Sequence, residues 1–271
     1  MRLFVKHRSE YRFSEPQARL VQLLRLTPGN HAGQSIVSWR IDVDRDARLK
    51  PARDGYGNET TMLYIDGPLD RIAIEVSGEV LTEDRAGMVI GSTETLPPLY
   101  YLQSTPLTKA DAALIDYVET LGLPAEPQPR AHALAEALAD LFEPVAVHPA
   151  TDQSAAARFA ARAADPQGNA HVLIAAARTV GLPARYVAGH LYRPDESDGH
   201  AAHGWAEIWI DGYGWIGFDA FEGCCPRDEH VRVAIGLDHR EAAPISGLRI
   251  GGGHEALAID VHVGPEPAAQ D

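Results

Sequence analysis

"HGWAEIWIDGYGWIGFDAF", residues 203–221, consists of two apolar-aromatic runs around Asp211-Gly212-Tyr213-Gly214. Glycines at such a junction supply the backbone freedom that tight hairpin loops require. The stretch therefore predicts a β-hairpin. His203 opens its first strand and Asp219 closes its second, sixteen residues apart. A hairpin brings such ends side by side, so an imidazole meets a carboxylate at one sheet edge. A carboxylate so placed fixes the tautomer of a histidine and stabilises its charged form. The same pattern alone also describes a purely structural His–Asp hydrogen bond. Trp205, Trp209, Trp215 and Phe218 alternate along the two strands. Core packing explains most of them, with room for one in the wall of a groove.

Upstream, "AADPQGNAHVLIAAARTVGLPARYVAGHL" covers residues 163–191. It reads as a loop, a helix over about 168–180 stopped by Gly181-Leu182-Pro183, and then a strand. A helix N-terminus is where a thiol is most readily ionised and where backbone N–H groups can hold an oxyanion. The junction here is Asp165-Pro166-Gln167-Gly168-Asn169, without a cysteine.

Residues 1–104 are β-rich. "SIVSWRIDV", "ETTMLYIDG" and "RIAIEVSGEVL" alternate with a period near two, separated by turn-forming "RDGYGNE" and "DGPLDR". Pro97, Pro98 and Pro106 mark a stiff connector. Helix is expected over 109–121, capped by Thr108 and ended by Gly122, and again in "RAHALAEALADLF". Residues 151–165 favour helix until "ADPQG" breaks it. Strands resume after Pro183, and residues 266–271 form a polar, frayed tail.

The formal net charge is -14, from 38 acidic and 24 basic side chains. That field repels nucleic acid and anionic membranes, so neither is expected as a partner. No apolar run approaches the ~18 residues a membrane span needs. "MRLFVKHRSEYRFSEP" lacks the apolar segment of a signal peptide, and a cytoplasmic location is expected. The two cysteines, Cys224 and Cys225, are adjacent. They form neither a disulfide framework nor a zinc signature, and a bridge between neighbours would be strained. They read as free thiols.

Taken together, these motifs resemble a bacterial transglutaminase-like protein, whose core shares its fold with papain-type cysteine proteases. "VLIAAARTVGLPARYVAGHLY" is similar to that family's helix and strand after the nucleophile. "AAHGWAEIWIDGYGWIGFDAFEG" is similar to its histidine and aspartate strands, and "CPRDEHVRVAIGLDHREAAPISGLRIGGG" to its C-terminal strands. The first ~100 residues, with "LRLTP" and "RDGYGNE", resemble the β-rich region that precedes the core. The resemblance implies an α+β protein. It has a β-rich domain over 1–104 and a transglutaminase-like core over 105–265, with the C-terminal strands completing the core sheet.

It also implies His203 as the catalytic histidine and Asp219 as the catalytic aspartate. Aligned on Ala170-His171, the family's nucleophilic cysteine falls on Pro166, with Gln167 retained and Gly168 in place of an aspartate. Proline supplies neither a nucleophile nor an N–H. The expectation is a catalytically impaired relative that keeps the His–Asp pair and a cleft for a peptide or protein amide ligand. The alternative is an active cysteine amidase or peptidase, in which the gap in this alignment is misplaced or the nucleophile is relocated to Cys224 or Cys225. Along a straight strand Cys225 would lie ~20 Å from Asp219, although Glu222-Gly223 favours a bend. Ser154 is a weaker substitute. No cofactor is implied, and no metal centre is expected. His200-Ala-Ala-His203 with Asp195, Glu196 and Asp198 has the texture of a carboxylate-bearing loop rather than a helical ligand face. His171, on an alanine-rich helix, reads as a core residue. The sequence does not specify an oligomeric state.

Overall fold

The structure, a computed structural model, describes residues 1–93, 95–145, 153–194 and 202–265. In chain order it contains β1 (Arg2–Leu24), β2 (Gln34–Val43), β3 (Arg48–Arg53), β4 (Glu59–Thr82) and β5 (Met88–Val89). A 3₁₀ turn (Pro98–Leu102), α1 (Ala112–Thr120), α2 (Pro127–Ala139), β6 (Glu143–Pro144), α3 (Ala155–Ala161), β7 (Ala163–Ala164) and α4 (Pro166–Thr179) follow. The chain continues through β8 (Ala184–Leu191), β9 (Ala202–Ile210), β10 (Gly214–Phe218), β11 (His230–Gly236), β12 (Ile245–Ile250) and β13 (Glu255–Gly264).

The first sheet is built on the long antiparallel pair β1–β4, with β2 and β3 on the far edge of β4. Alternate residues, among them Leu20, Leu24, Leu63, Ile65, Ile72 and Ile74, bury one face, as period-two apolar strands require. The pairing shifts register between Arg12 and Gln17. There Gly67 passes so close to the Gln17 carbonyl that a Cβ would stand 1.9 Å from its oxygen.

The second sheet runs β11-β8-β9-β10-β5, antiparallel throughout. α4 lies across it. Its Val172, Leu173, Ile174 and Ala176 are buried with Ala206, Ile208, Ile216 and Phe218 of β9 and β10. Alanines along this helix let the backbone approach the sheet closely, and α1–α3 cover its other sides. The architecture is α+β, as expected: a β-rich N-terminal sheet, then helices packed on a curled antiparallel core sheet.

One expectation about the C-terminal strands needs correction. β11 does complete the core sheet, but β12 and β13 pair with β1 in the first sheet. β1 is 23 residues long, and one of its edges is free of β4. Its unpaired N–H and C=O groups take up the returning chain, β12 against residues 19–24 and β13 against residues 4–13. Val261 and Val263 are thereby buried with Leu3, Val5, Val231 and Val233, a cluster that joins the two sheets. In the opposite sense, β5 leaves the N-terminal segment to pair with β10. A division at residue 104/105 therefore does not separate the two sheets.

Helix starts also differ from expectation by a few residues. α1 is capped by Asp111, whose carboxylate accepts the Leu114 N–H at 3.0 Å. Thr108 instead accepts a hydrogen bond from Arg178 at 2.7 Å. No helix among the described residues is long and apolar enough to cross a membrane. The expected frayed tail, residues 266–271, lies outside the described residues.

Candidate active site

The hairpin of β9 and β10 forms as the sequence predicts, with Trp209 opposite Trp215 and Ala206 opposite Phe218. Gly212 and Gly214 both have positive φ, 85° and 86°. Alternation then sorts the side chains. Ala206 and Ile208 pack in the cluster beneath α4, whereas Trp205 belongs to a separate cluster with Val187 and Ile235. His203, two residues before Trp205 on the same strand, shares its face. Glu207 is on that face too, fully buried between Arg185 (2.7 Å) and Arg232 (2.6 Å). The Arg185 guanidinium stacks 3.8 Å above the Trp215 ring. Burial alone would raise the Glu207 carboxyl, but the two arginines overcome it and hold the group down at about 2. This buried ion triad ties β8, β9 and β11 together beside the dyad.

His203 Nε2 lies 2.5 Å from Asp219 Oδ2, and both residues are buried. Asp219 also receives the Phe221 and Glu222 N–H groups on Oδ1, each at 3.1 Å. A second histidine, His230 at the start of β11, brings its Nε2 to 3.1 Å from Oδ2. Burial alone would raise the Asp219 carboxyl. The hydrogen bonds from His203 and His230 outweigh that effect and hold it well below the usual carboxylate range. An ionised carboxylate only accepts, so His203 Nε2 carries the proton. In the neutral ring, His203 Nδ1, buried and without a hydrogen-bond partner among the described residues, is the lone-pair nitrogen.

The region where the sequence resemblance places the nucleophile is equally well defined. Pro166 is the first residue of α4, where a proline's missing N–H costs nothing. Asp165 is the N-cap, its carboxylate accepting the Gly168 N–H at 2.7 Å and the Arg158 guanidinium at 2.9 Å. Both Asp165 and Arg158 are buried. The helix end that would stabilise a thiolate is thus already occupied by a carboxylate. Ser154 is also a cap, accepting the Ala157 N–H at the start of α3.

The two cysteines are free thiols. The chain does not run straight after Asp219. It turns back through Gly223, at φ 66°, and the Asp219 and Cys224 backbones pair. Both cysteines line a crevice of about 70 Å³ that also touches His132, Phe218 and Asp219. Neither thiol hydrogen-bonds His203 among the described residues. Burial, then the Asp219 charge, pushes Cys224 up to about 11, and burial raises Cys225 as well.

His203, Asp219 and His230 bring three ligand-type atoms within 4.8 Å of one another. Their surroundings suit hydrogen bonding better than a metal. A ligating imidazole normally donates its other N–H to an acceptor. His230 Nδ1 instead accepts the Arg227 N–H at 3.1 Å, and His203 Nδ1 meets no acceptor among the described residues. Of the loop histidine–carboxylate group considered in the sequence, only His203 lies within the described residues. His171 is a fully buried core residue whose Nε2 accepts the His239 N–H at 3.1 Å. Sequence reading missed His230. Its only local signal is a histidine opening the strand "HVRVAIG", eleven residues past Asp219.

Comparison with known proteins gives two family matches and a shared fold. Residues 3–81 match the bacterial transglutaminase-like N-terminal region, and residues 116–220 match the transglutaminase-like superfamily core. An uncharacterized protein of Mycobacterium tuberculosis is 27% identical over 302 residues, spanning 98% of this chain and 93% of its own. One from Mycobacterium leprae is 24% identical over 290 residues, spanning 97% and 98%. The crystal structure of a candidate cysteine protease from Cytophaga hutchinsonii superposes with a TM-score of 0.78 at 18% identity. It covers 100% of this chain and 92% of that one. The two matched regions show that this chain carries a transglutaminase-like core preceded by the bacterial transglutaminase-like N-terminal region.

Proposed function

We infer that this protein is a transglutaminase-like scaffold without acyl-transfer chemistry, whose His203–Asp219 pair serves a binding site for a peptide or protein amide. The observation that carries this reading is Pro166 at the first position of α4, where alignment with the family calls for the nucleophilic cysteine. Acyl transfer needs a nucleophile within hydrogen-bond reach of its base. Proline offers no such group, and Asp165 fills the electropositive helix end. Removing a triad nucleophile costs on the order of 10⁶-fold in rate in a well-studied serine enzyme. The test is turnover of simple amide and thioester substrates by the wild-type protein, for which none is expected.

A second reading has one observation in its favour: the backbone pairing that brings Cys224 beside Asp219. In that reading a cysteine amidase or peptidase uses Cys224 or Cys225 in place of the missing residue. The raised thiols count against it, because the attacking species is the thiolate. Fast, single-site labelling by iodoacetamide near neutral pH, together with turnover, would favour it.

A further inference from the structure

The dyad has a third member whose contribution can be derived from its hydrogen bonds. His230 is buried at the start of β11, its ring 6.0 Å from that of His203 and 5.4 Å from Trp205. Its Nδ1 accepts the backbone N–H of Arg227. A ring nitrogen that accepts has no proton, so the neutral ring carries its proton on Nε2 and donates it to Asp219 Oδ2. With the Phe221 and Glu222 N–H groups on Oδ1, four donors surround one carboxylate. No lone-pair direction is left in which the carboxylate could swing away from His203.

We propose that His230 is a positioning residue: through Asp219 it holds the neutral His203 ring in the Nε2–H form, with its buried Nδ1 unprotonated. The backbone loop Arg227–His230 sets the His230 tautomer, His230 pins Oδ2, and Oδ2 orients His203. Without the His230 donor, Oδ2 keeps a single partner, and the His203 ring can flip or change tautomer at lower cost. This inference concerns the hydrogen bonds within the dyad and does not need the binding reading, and its test uses neither binding nor turnover. Failure of one can therefore be told from failure of the other.

The test is ¹⁵N NMR of the histidine side chains in the full-length protein, in mildly alkaline buffer. In wild type, His203 and His230 should each show a protonated Nε2 and an unprotonated Nδ1. His230→Phe should turn His203 into a mixture of tautomers and remove the downfield signal of its hydrogen-bonded proton. His230→Gln, whose side-chain amide can donate in place of Nε2, should restore both. A wild-type His230 protonated on Nδ1 would overturn the proposal even if His230→Phe failed to fold. So would a folded His230→Phe protein with an unchanged His203 signature. Adding Zn²⁺ to the wild type should leave both Nε2 signals in place. Stoichiometric binding that shifts both would reassign the cluster as a metal site and overturn the proposal.

Discussion

The backbones of Asp219 and Cys224 exchange two hydrogen bonds, 2.8 and 3.0 Å long, across the turn that follows β10. The pairing brings a thiol-bearing residue next to the carboxylate of the dyad while leaving the imidazole with no sulfur partner. A negative carboxylate beside a half-buried thiol opposes ionisation, the reverse of what a nucleophile needs. Cys224→Ser and Cys225→Ser should each leave the fold, and any acyl-transfer background, unchanged. In wild type, iodoacetamide should label both slowly at pH 7 and faster only in strongly alkaline buffer. Mass spectrometry of timed labelling reactions reads this directly.

Pro166→Cys puts at the first position of α4 the residue type that the proposed reading expects there. It does not restore its setting, because the new thiol would share the helix end with the Asp165 carboxylate. We expect weak thioester hydrolysis at best. Misplacement of a reacting atom by about 1 Å can cost ~10²-fold. Comparison of initial rates for wild type and variant is the measurement.

Glu207 is held between Arg185 and Arg232, with no exposure of its side chain. Glu207→Gln would remove the carboxylate that neutralises the fully buried Arg185 and the largely buried Arg232. Removing one partner of a buried ion pair costs about 3–5 kcal/mol. A loss of that size should appear as a lower urea midpoint.

Stability should fall in mild acid. Burial, opposed by Asp260, pushes His7 down to about 4, and burial with His239 nearby pushes His171 down to about 3. Both are neutral when folded but bind a proton readily when unfolded, at about 6.5. The unfolded state therefore takes up more protons below pH 6.5. The stabilisation is complete above that value and drains away as pH falls toward 4 for His7 and 3 for His171. Each histidine contributes a slope of about 1.4 kcal/mol per pH unit in that window. Urea titrations at several pH values between 7 and 4.5 should show it. Asp219, held low, adds its loss only in stronger acid.

The sequence was most legible where structure is local. The 203–221 hairpin announces itself through period-two apolar runs and turn glycines, and with it the His203–Asp219 pair. The helix after Pro166 is equally plain, although its start is set by the Asp165 cap and not by Gly168. What was not legible depends on partners far away in the chain. The alternation in residues 255–264 says that the segment is a strand. It does not say that the free edge of β1 will capture it in preference to the core sheet. His230 reaches Asp219 only because β11 lies along β8, which lies along β9. No spacing rule within "DEHVRV" encodes that. The bend at Gly223 likewise brings Cys224 back to Asp219, where a straight-strand estimate would carry it away.

The most direct measurement is intact-mass spectrometry of the wild-type protein incubated with an activated thioester at neutral pH, with product release followed in parallel. The prediction is an unmodified protein and no product above the uncatalysed background. A stoichiometric acyl adduct on Cys224 or Cys225 that turns over, and that disappears in His203→Ala, would contradict it and identify an enzyme with a relocated nucleophile.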